Sequence, residues 1–159
     1  MDLKLPHCSL FKLSNLPILD LHERDRGQVM WTGIKIELLS MSKGKASFKM
    51  KVEESHQNPM GNLHGGMTAT LIDMLTTIVI TTLPPHKVAA SVDLSISYLR
   101  PAPVGEDVII NTEVIKMGRT LAFTAAELLN KDGKLVAKAR HTQFIGEGQP
   151  TPFTDMQES

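Results

Sequence analysis

Between Asn58 and Leu83 the only formally charged residue is Asp73, set in the apolar run Met67-Thr68-Ala69-Thr70-Leu71-Ile72-Asp73-Met74-Leu75. An unpaired carboxylate in an apolar wall is a better base than a solvated one, because desolvation penalises its charged form. Just upstream, Gly65-Gly66 lets the backbone approach another molecule closely. The residues that follow read as helix, so free N–H groups at its start would face whatever docks there and polarise an oxygen. Asp73 lies eight residues after Gly65, and at roughly 1.5 Å per residue that puts it about 12 Å along the axis from the helix N-terminus. One helix cannot hold both groups against one small reacting centre. If they cooperate, the acid comes from an antiparallel copy of the same helix, which a two-fold homodimer supplies twice. The spacing therefore predicts a dimeric enzyme with composite sites.

The elements that must position these residues follow from the patterning. Ile34, Ile36 and Leu38 alternate, and Ser42-Lys43-Gly44-Lys45 turns into Ala46 to Val52, a hairpin with a two-residue period. The apolar segment predicts a helix over 67–83, stopped by Pro84-Pro85. Val88 to Leu99 alternates so that Ala90, Val92, Leu94, Ile96 and Tyr98 share one face and Ser91, Asp93, Ser95 and Ser97 the other. Two more hairpins are expected, Val108 to Lys116 with Thr120 to Asn130, then Leu135 to Ile145 after the Asp132-Gly133 turn. About six antiparallel strands around one long apolar helix describe an α+β layer fold, the hotdog arrangement, in which a curved sheet wraps the helix.

The chain has 159 residues, 42% of them hydrophobic, a single-domain length with one substantial core. A helix this apolar must be covered nearly all round, which a small monomer would struggle to do. The expected organisation is a leader over 1–30, a body over 31–146 and a tail over 147–159. Seventeen basic and seventeen acidic residues give zero formal net charge, so bulk electrostatics point neither to nucleic acid nor to an anionic membrane. The single cysteine, Cys8, allows no internal disulfide and is given no role. Acidic residues interrupt the leader, so no secretory signal is read. A cytoplasmic protein is expected, with mitochondrial targeting left open, and the helix with its central acid and six threonines reads as a buried soluble helix rather than a membrane span.

Asn58 through Asp73, together with Ser91-Val92-Asp93, Tyr98 to Pro101, Gly105-Glu106-Asp107, Gly118-Arg119-Thr120-Leu121-Ala122-Phe123 and Gly133-Lys134-Leu135, resembles the hotdog acyl-coenzyme A thioesterases of the phenylacetate-degradation type. The resemblance runs from about Gly33 to Gly146. It implies hydrolysis of acyl-CoA thioesters, medium- to long-chain fatty acyl-CoA among them, without metal or organic cofactor, by a homodimer that often pairs into a dimer of dimers. Carried over by position, the Gly65 amide would bind the thioester carbonyl, with His64 and Asn58 beside it on one subunit. Asp73 and Ser91 would come from the neighbour, the aspartate as general base on water or as nucleophile and the serine holding the water. Coenzyme A contacts are implied at Ser91, Asp93, Tyr98, Arg100, Pro101, Lys116, Gly118, Arg119 and Thr120. Met67, Leu71, Met74 and Met117 are candidates for an acyl channel.

Each residue also has a plainer reading. Asp73 could be a structural acid, His64 could orient its loop, and Ser91 could be one more exposed serine on a polar face with Ser95 and Ser97. No Gly-X-Ser-X-Gly elbow surrounds Ser91, which disfavours a serine-hydrolase triad. His56 and His64 find no third metal ligand at suitable spacing. Two other functions compete with the thioesterase: a hotdog hydratase or dehydratase, which would want a histidine paired with an acid at the helix entrance, and a non-catalytic acyl-CoA-binding regulator.

Overall fold

The computed structural model describes residues 28–31 and 34–146. Cys8, most of the leader and the tail from 147 lie outside the described residues. The strands are β1 (Gln28–Trp31), β2 (Ile34–Ser42), β3 (Lys45–Lys51), β4 (Ala90–Tyr98), β5 (Asp107–Met117), β6 (Leu121–Leu129) and β7 (Leu135–Phe144), with helix α1 (Gly65–Thr81) between β3 and β4. They form one antiparallel sheet in the order β1-β2-β3-β5-β6-β7-β4. All six strands expected from the patterning are present. The seventh, β1, pairs with β2 and begins at Gln28, inside the stretch read as leader.

Helix and sheet share one core. Leu71, Leu75, Ile78 and Val79 of α1 pack with Ile36, Phe48, Met50, Val108, Ile110 and Leu128 of the sheet. Phe48 is fully buried there, and truncating a side chain of that size to alanine costs about 3 to 5 kcal/mol. The helix starts two residues earlier than its apolar run, because the His64 ring accepts the Gly66 N–H and caps the first turn. It ends at Thr81, and the Thr82 hydroxyl accepts the N–H of Gly44. Gly44 turns the β2–β3 hairpin at φ 73°, a conformation open to glycine, and so brings that hairpin onto the C-terminal end of the helix.

Burial covers α1 on nearly all sides. The incompletely covered stripe runs through Gly66, Ala69, Thr70, Asp73 and Thr77, spaced three and four apart as one helix face requires. No helix among the described residues is long and apolar enough to cross a membrane.

Strand β4 departs from simple alternation at a point that matters for the site. Ser91 pairs with Gln143 and Asp93 with Thr142, so Val92 is an extra residue in a β-bulge. Gln143 and His141 face the helix, and their partners Ser91 and Leu94 face it too, followed by Ile96 and Tyr98. Ser91 therefore leaves the polar face it was expected to share with Asp93, Ser95 and Ser97, and the helix-facing set of β4 is Ser91, Leu94, Ile96 and Tyr98.

Candidate active site

Asp73 sits two turns into α1 on its open stripe, with 46% of its side chain exposed. The Ser91 hydroxyl donates to Asp73 Oδ1 at 2.5 Å, a contact the bulge at Val92 makes geometrically available. The expected apolar, unpaired setting is corrected here. The carboxylate is hydrogen-bonded, half exposed and backed by polar groups from β7, which the helix sequence alone could not reveal.

His141 is the chief of these, and sequence reasoning missed it. It is 1% exposed, and its Nε2 lies 3.4 Å from Asp73 Oδ1. Its Nδ1 is 2.8 Å from Thr76 Oγ1, which is also within hydrogen-bonding distance of the Ile72 carbonyl. Which partner donates in the Nδ1–Thr76 contact follows the imidazole tautomer, and Nε2 is directed at the carboxylate in either one. Nε2 is buried without a hydrogen-bond partner among the described residues. Burial holds the imidazole below its ordinary pKa, and the charges of Asp73 and then Asp93 oppose that shift. Gln143, fully buried beside it, accepts the Thr77 hydroxyl at 2.8 Å and faces Thr76 with its amide. The only sequence signal for this layer is the alternation of β7, which places His141 and Gln143 on the inward face with Ala137 and Ala139.

The second group of candidates gathers at the start of α1. As the first helical residue, Gly65 has an N–H with no acceptor inside the helix. His64 Nδ1 accepts from Gly66 N–H at 2.9 Å, and the His64 N–H donates to the His56 carbonyl at 2.8 Å. His56 in turn accepts the Glu53 N–H through its own Nδ1 at 3.1 Å. Both histidines thus use a ring nitrogen to hold backbone. Asn58 folds its loop by accepting the Met60 and Asn62 N–H groups on Oδ1, at 2.9 and 3.2 Å. Its side-chain NH2 makes no hydrogen bond among the described residues. Tyr98, from the far end of β4, donates its hydroxyl to the Gly65 carbonyl at 2.9 Å.

The candidate coenzyme A residues fall in two places. Leu99 and Arg100 both donate their N–H groups to the Val136 carbonyl, Arg100 Nη1 donates to the Leu135 carbonyl, and Pro101 follows on the surface. Lys116 and Arg119 are exposed, make no ion pair among the described residues, and flank Gly118. The Gly118 N–H donates to the Leu121 carbonyl, and a Cβ at 118 would come within 2.8 Å of that oxygen, so the turn that presents Lys116, Arg119 and Thr120 requires glycine. Asp93 lies on the outer face opposite Thr142. There it borders a broad concavity of about 1270 Å³ with Ser47, Asn111, Lys116 and Arg140, whose lining includes neither Asp73 nor Gly65. Of the acyl-channel candidates, Leu71 and Met74 are core residues and Met67 packs against that core, while Met117 packs at the Ile80 end of the helix.

Residues 60–137 match the thioesterase superfamily. Human acyl-coenzyme A thioesterase 13 is 48% identical over 113 residues, covering 70% of this chain and 81% of the relative. Among solved structures, zebrafish thioesterase superfamily member 2 matches with a TM-score of 0.69 and 49% identity, over 70% of this chain and 81% of the other. A hypothetical thioesterase of Streptococcus pneumoniae TIGR4, solved with coenzyme A, matches with a TM-score of 0.67 and 30% identity, over 73% and 91%. The hotdog α+β fold and the resemblance read from the motifs agree with these matches, and the chain belongs to the thioesterase superfamily as a thioester hydrolase.

Proposed function

We propose that the protein hydrolyses acyl-CoA thioesters, medium- to long-chain fatty acyl-CoA in particular, at sites shared between two protomers and without a metal or organic cofactor. The observation that carries this reading is the separation of two half-sites along one helix. The Ser91–Asp73–His141 cluster lies two turns from the Gly65 amide, too far for one small thioester to touch both. Strand β4 lies at the sheet edge next to β7 alone, and pairing of two such edges about a two-fold axis would set the α1 helices of the protomers antiparallel. The acid half of one protomer then faces the amide half of the other. A further pairing into a dimer of dimers belongs to the same reading.

In this site the thioester carbonyl docks at the Gly65 N–H with the Asn58 amide beside it, and His64 holds that turn in place. Charge developing on the carbonyl oxygen is met by a fixed donor, the kind of contact whose loss costs about 3 to 4 kcal/mol. Asp73 Oδ1 is engaged by Ser91, leaving Oδ2 to take the proton of an attacking water that the serine oxygen also holds; direct attack by the carboxylate is the other route open to it. The leaving thiolate, near the reference thiol pKa of about 8.5, needs no strong acid. Lys116 and Arg119 supply positive charge for the coenzyme A phosphates. What supports the ligand class is the pneumococcal relative solved with coenzyme A and the thioesterase relatives above.

The test is release of free thiol across a panel of acyl-CoAs, run beside Asp73→Asn. Loss of roughly 10²- to 10⁴-fold in rate is expected, with folding and assembly retained. Hydration of an enoyl-CoA with no thiol released would replace hydrolysis by the hydratase reading, although His141 is too buried to meet a substrate itself.

A further inference from the structure

Gly65 and Gly66 carry no side chains that could fix the first turn of α1, yet the peptide group between them is held at both ends. Its N–H donates to His64 Nδ1 at 2.9 Å, and its carbonyl accepts the Tyr98 hydroxyl at 2.9 Å. Tyr98 also fills space: the edge of its ring lies 3.4 to 3.5 Å, and its hydroxyl oxygen 3.6 Å, from where a Cβ of Gly65 would stand. Burial does not explain this placement, since Tyr98 is 56% exposed. Its backbone is anchored instead, by pairing with Ala137 and by the two N–H bonds of Leu99 and Arg100 to the Val136 carbonyl.

We propose that Tyr98 is a positioning residue for the Gly65 amide, its hydroxyl and the His64 ring together clamping the Gly65–Gly66 peptide so that the neighbouring Gly65 N–H keeps one direction. This rests on the thioesterase reading above, and it assigns Tyr98 work on the enzyme's own backbone rather than on coenzyme A alone. A two-glycine turn samples more backbone conformations than any other. A donor aimed at a developing oxyanion is effective only if it does not reorganise during the reaction. Strand β4 thereby sets both half-sites from one face, Ser91 against Asp73 near its start and Tyr98 against Gly65 at its end.

Tyr98→Phe keeps the ring and removes the hydroxyl. Expected is a fall in kcat of about three- to tenfold, the worth of one neutral hydrogen bond, with KM for acyl-CoA within about twofold and faster amide hydrogen exchange at Gly66. A raised KM at unchanged kcat would make Tyr98 a coenzyme A contact and overturn the proposal, as would unchanged kinetics. Because His64→Ala releases the other end of the same peptide, the double variant should lose less than the sum of the singles; strict additivity would also overturn it. The exchange measurement needs no turnover: in the unmodified protein the Gly66 amide should be protected like the helix interior, and free exchange there defeats the clamp even if the substrate is wrongly assigned. A protected clamp in a protein that releases no thiol would instead defeat the thioesterase reading alone.

Discussion

Ser91 donates its hydroxyl hydrogen to Asp73 Oδ1 at 2.5 Å, joining strand β4 to helix α1 across 18 positions of sequence. The bond exists because Val92 is an extra residue in β4, which puts Ser91 opposite Gln143 on the helix side while Ser95 stays opposite Arg140 on the outer side. The bulge thus separates two serines that strict alternation would have made equivalent. A half-exposed aspartate is given a fixed partner for one oxygen, and its other oxygen stays available.

The two serines should respond differently to removal. Ser91→Ala is expected to lower kcat by roughly 10- to 10²-fold, the worth of one hydrogen bond to a charged group, while Ser95→Ala stays within about twofold. Steady-state thiol release from both variants checks this, and equal losses would show that the bulge has no bearing on the chemistry.

Much of this molecule was legible before any coordinates. Period-2 alternation located six strands, and the apolar run with its glycine opening located the helix and the two residues of greatest interest on it. What stayed hidden depends on pairing between distant segments. The bulge is a register difference between β4 and β7, invisible in β4 alone, so Ser91 read as one of four serine and aspartate neighbours on a polar face. His141 lies 68 positions from Asp73 in the sequence and meets it only because β7 runs between β4 and β6 in the sheet. The apolar look of residues 67–83 likewise concealed a polar layer of Thr76, Thr77, His141 and Gln143, half of which comes from the sheet.

The helix cap sets a steric limit at Gly66. A Cβ there would stand 3.0 Å from His64 Nδ1, so Gly66→Ala should push the imidazole off the cap and release the first turn. Loss of a cap costs about 1 kcal/mol, and a lower Tm with a fall in kcat should appear together. Gly61→Ala makes a useful contrast. A Cβ there meets nothing within 4 Å but sits at φ 75°, so it strains the loop without touching His64 and should spare the cap, as hydrogen exchange at Gly66 would show.

Acid should destabilise the fold through His141. Burial lowers its folded-state pKa below the unfolded value near 6.5, so as pH falls the unfolded chain takes up the proton first. Stability is then fully present above pH about 6.5 and is lost progressively as pH drops toward the lowered folded value. Since the Asp73 charge works against the shift, Asp73→Asn should make the acid loss steeper, and His141→Gln should flatten it. Denaturant midpoints measured across this range decide the matter, and an unchanged pH slope in His141→Gln would assign the acid sensitivity to other groups.

Gly65→Pro offers a way to delete one atom pair from the proposed oxyanion site. Proline is tolerated at the first helical position, where its missing N–H has no intrahelical acceptor anyway. His64 already has the extended backbone, φ −65° and ψ 137°, that a residue before proline must adopt. The helix should therefore persist while the donor disappears, with a rate loss of about 10²- to 10³-fold. If sites are shared between protomers, this variant and Asp73→Asn should rescue one another. After the two are unfolded and refolded together in equal amounts, half of randomly formed dimers are hybrids, and each hybrid has one site with both defects and one with neither. Activity should return to about a quarter of the unmodified level. A site contained in a single protomer would leave the mixture as inactive as its components, because every subunit would still lack either its donor or its carboxylate.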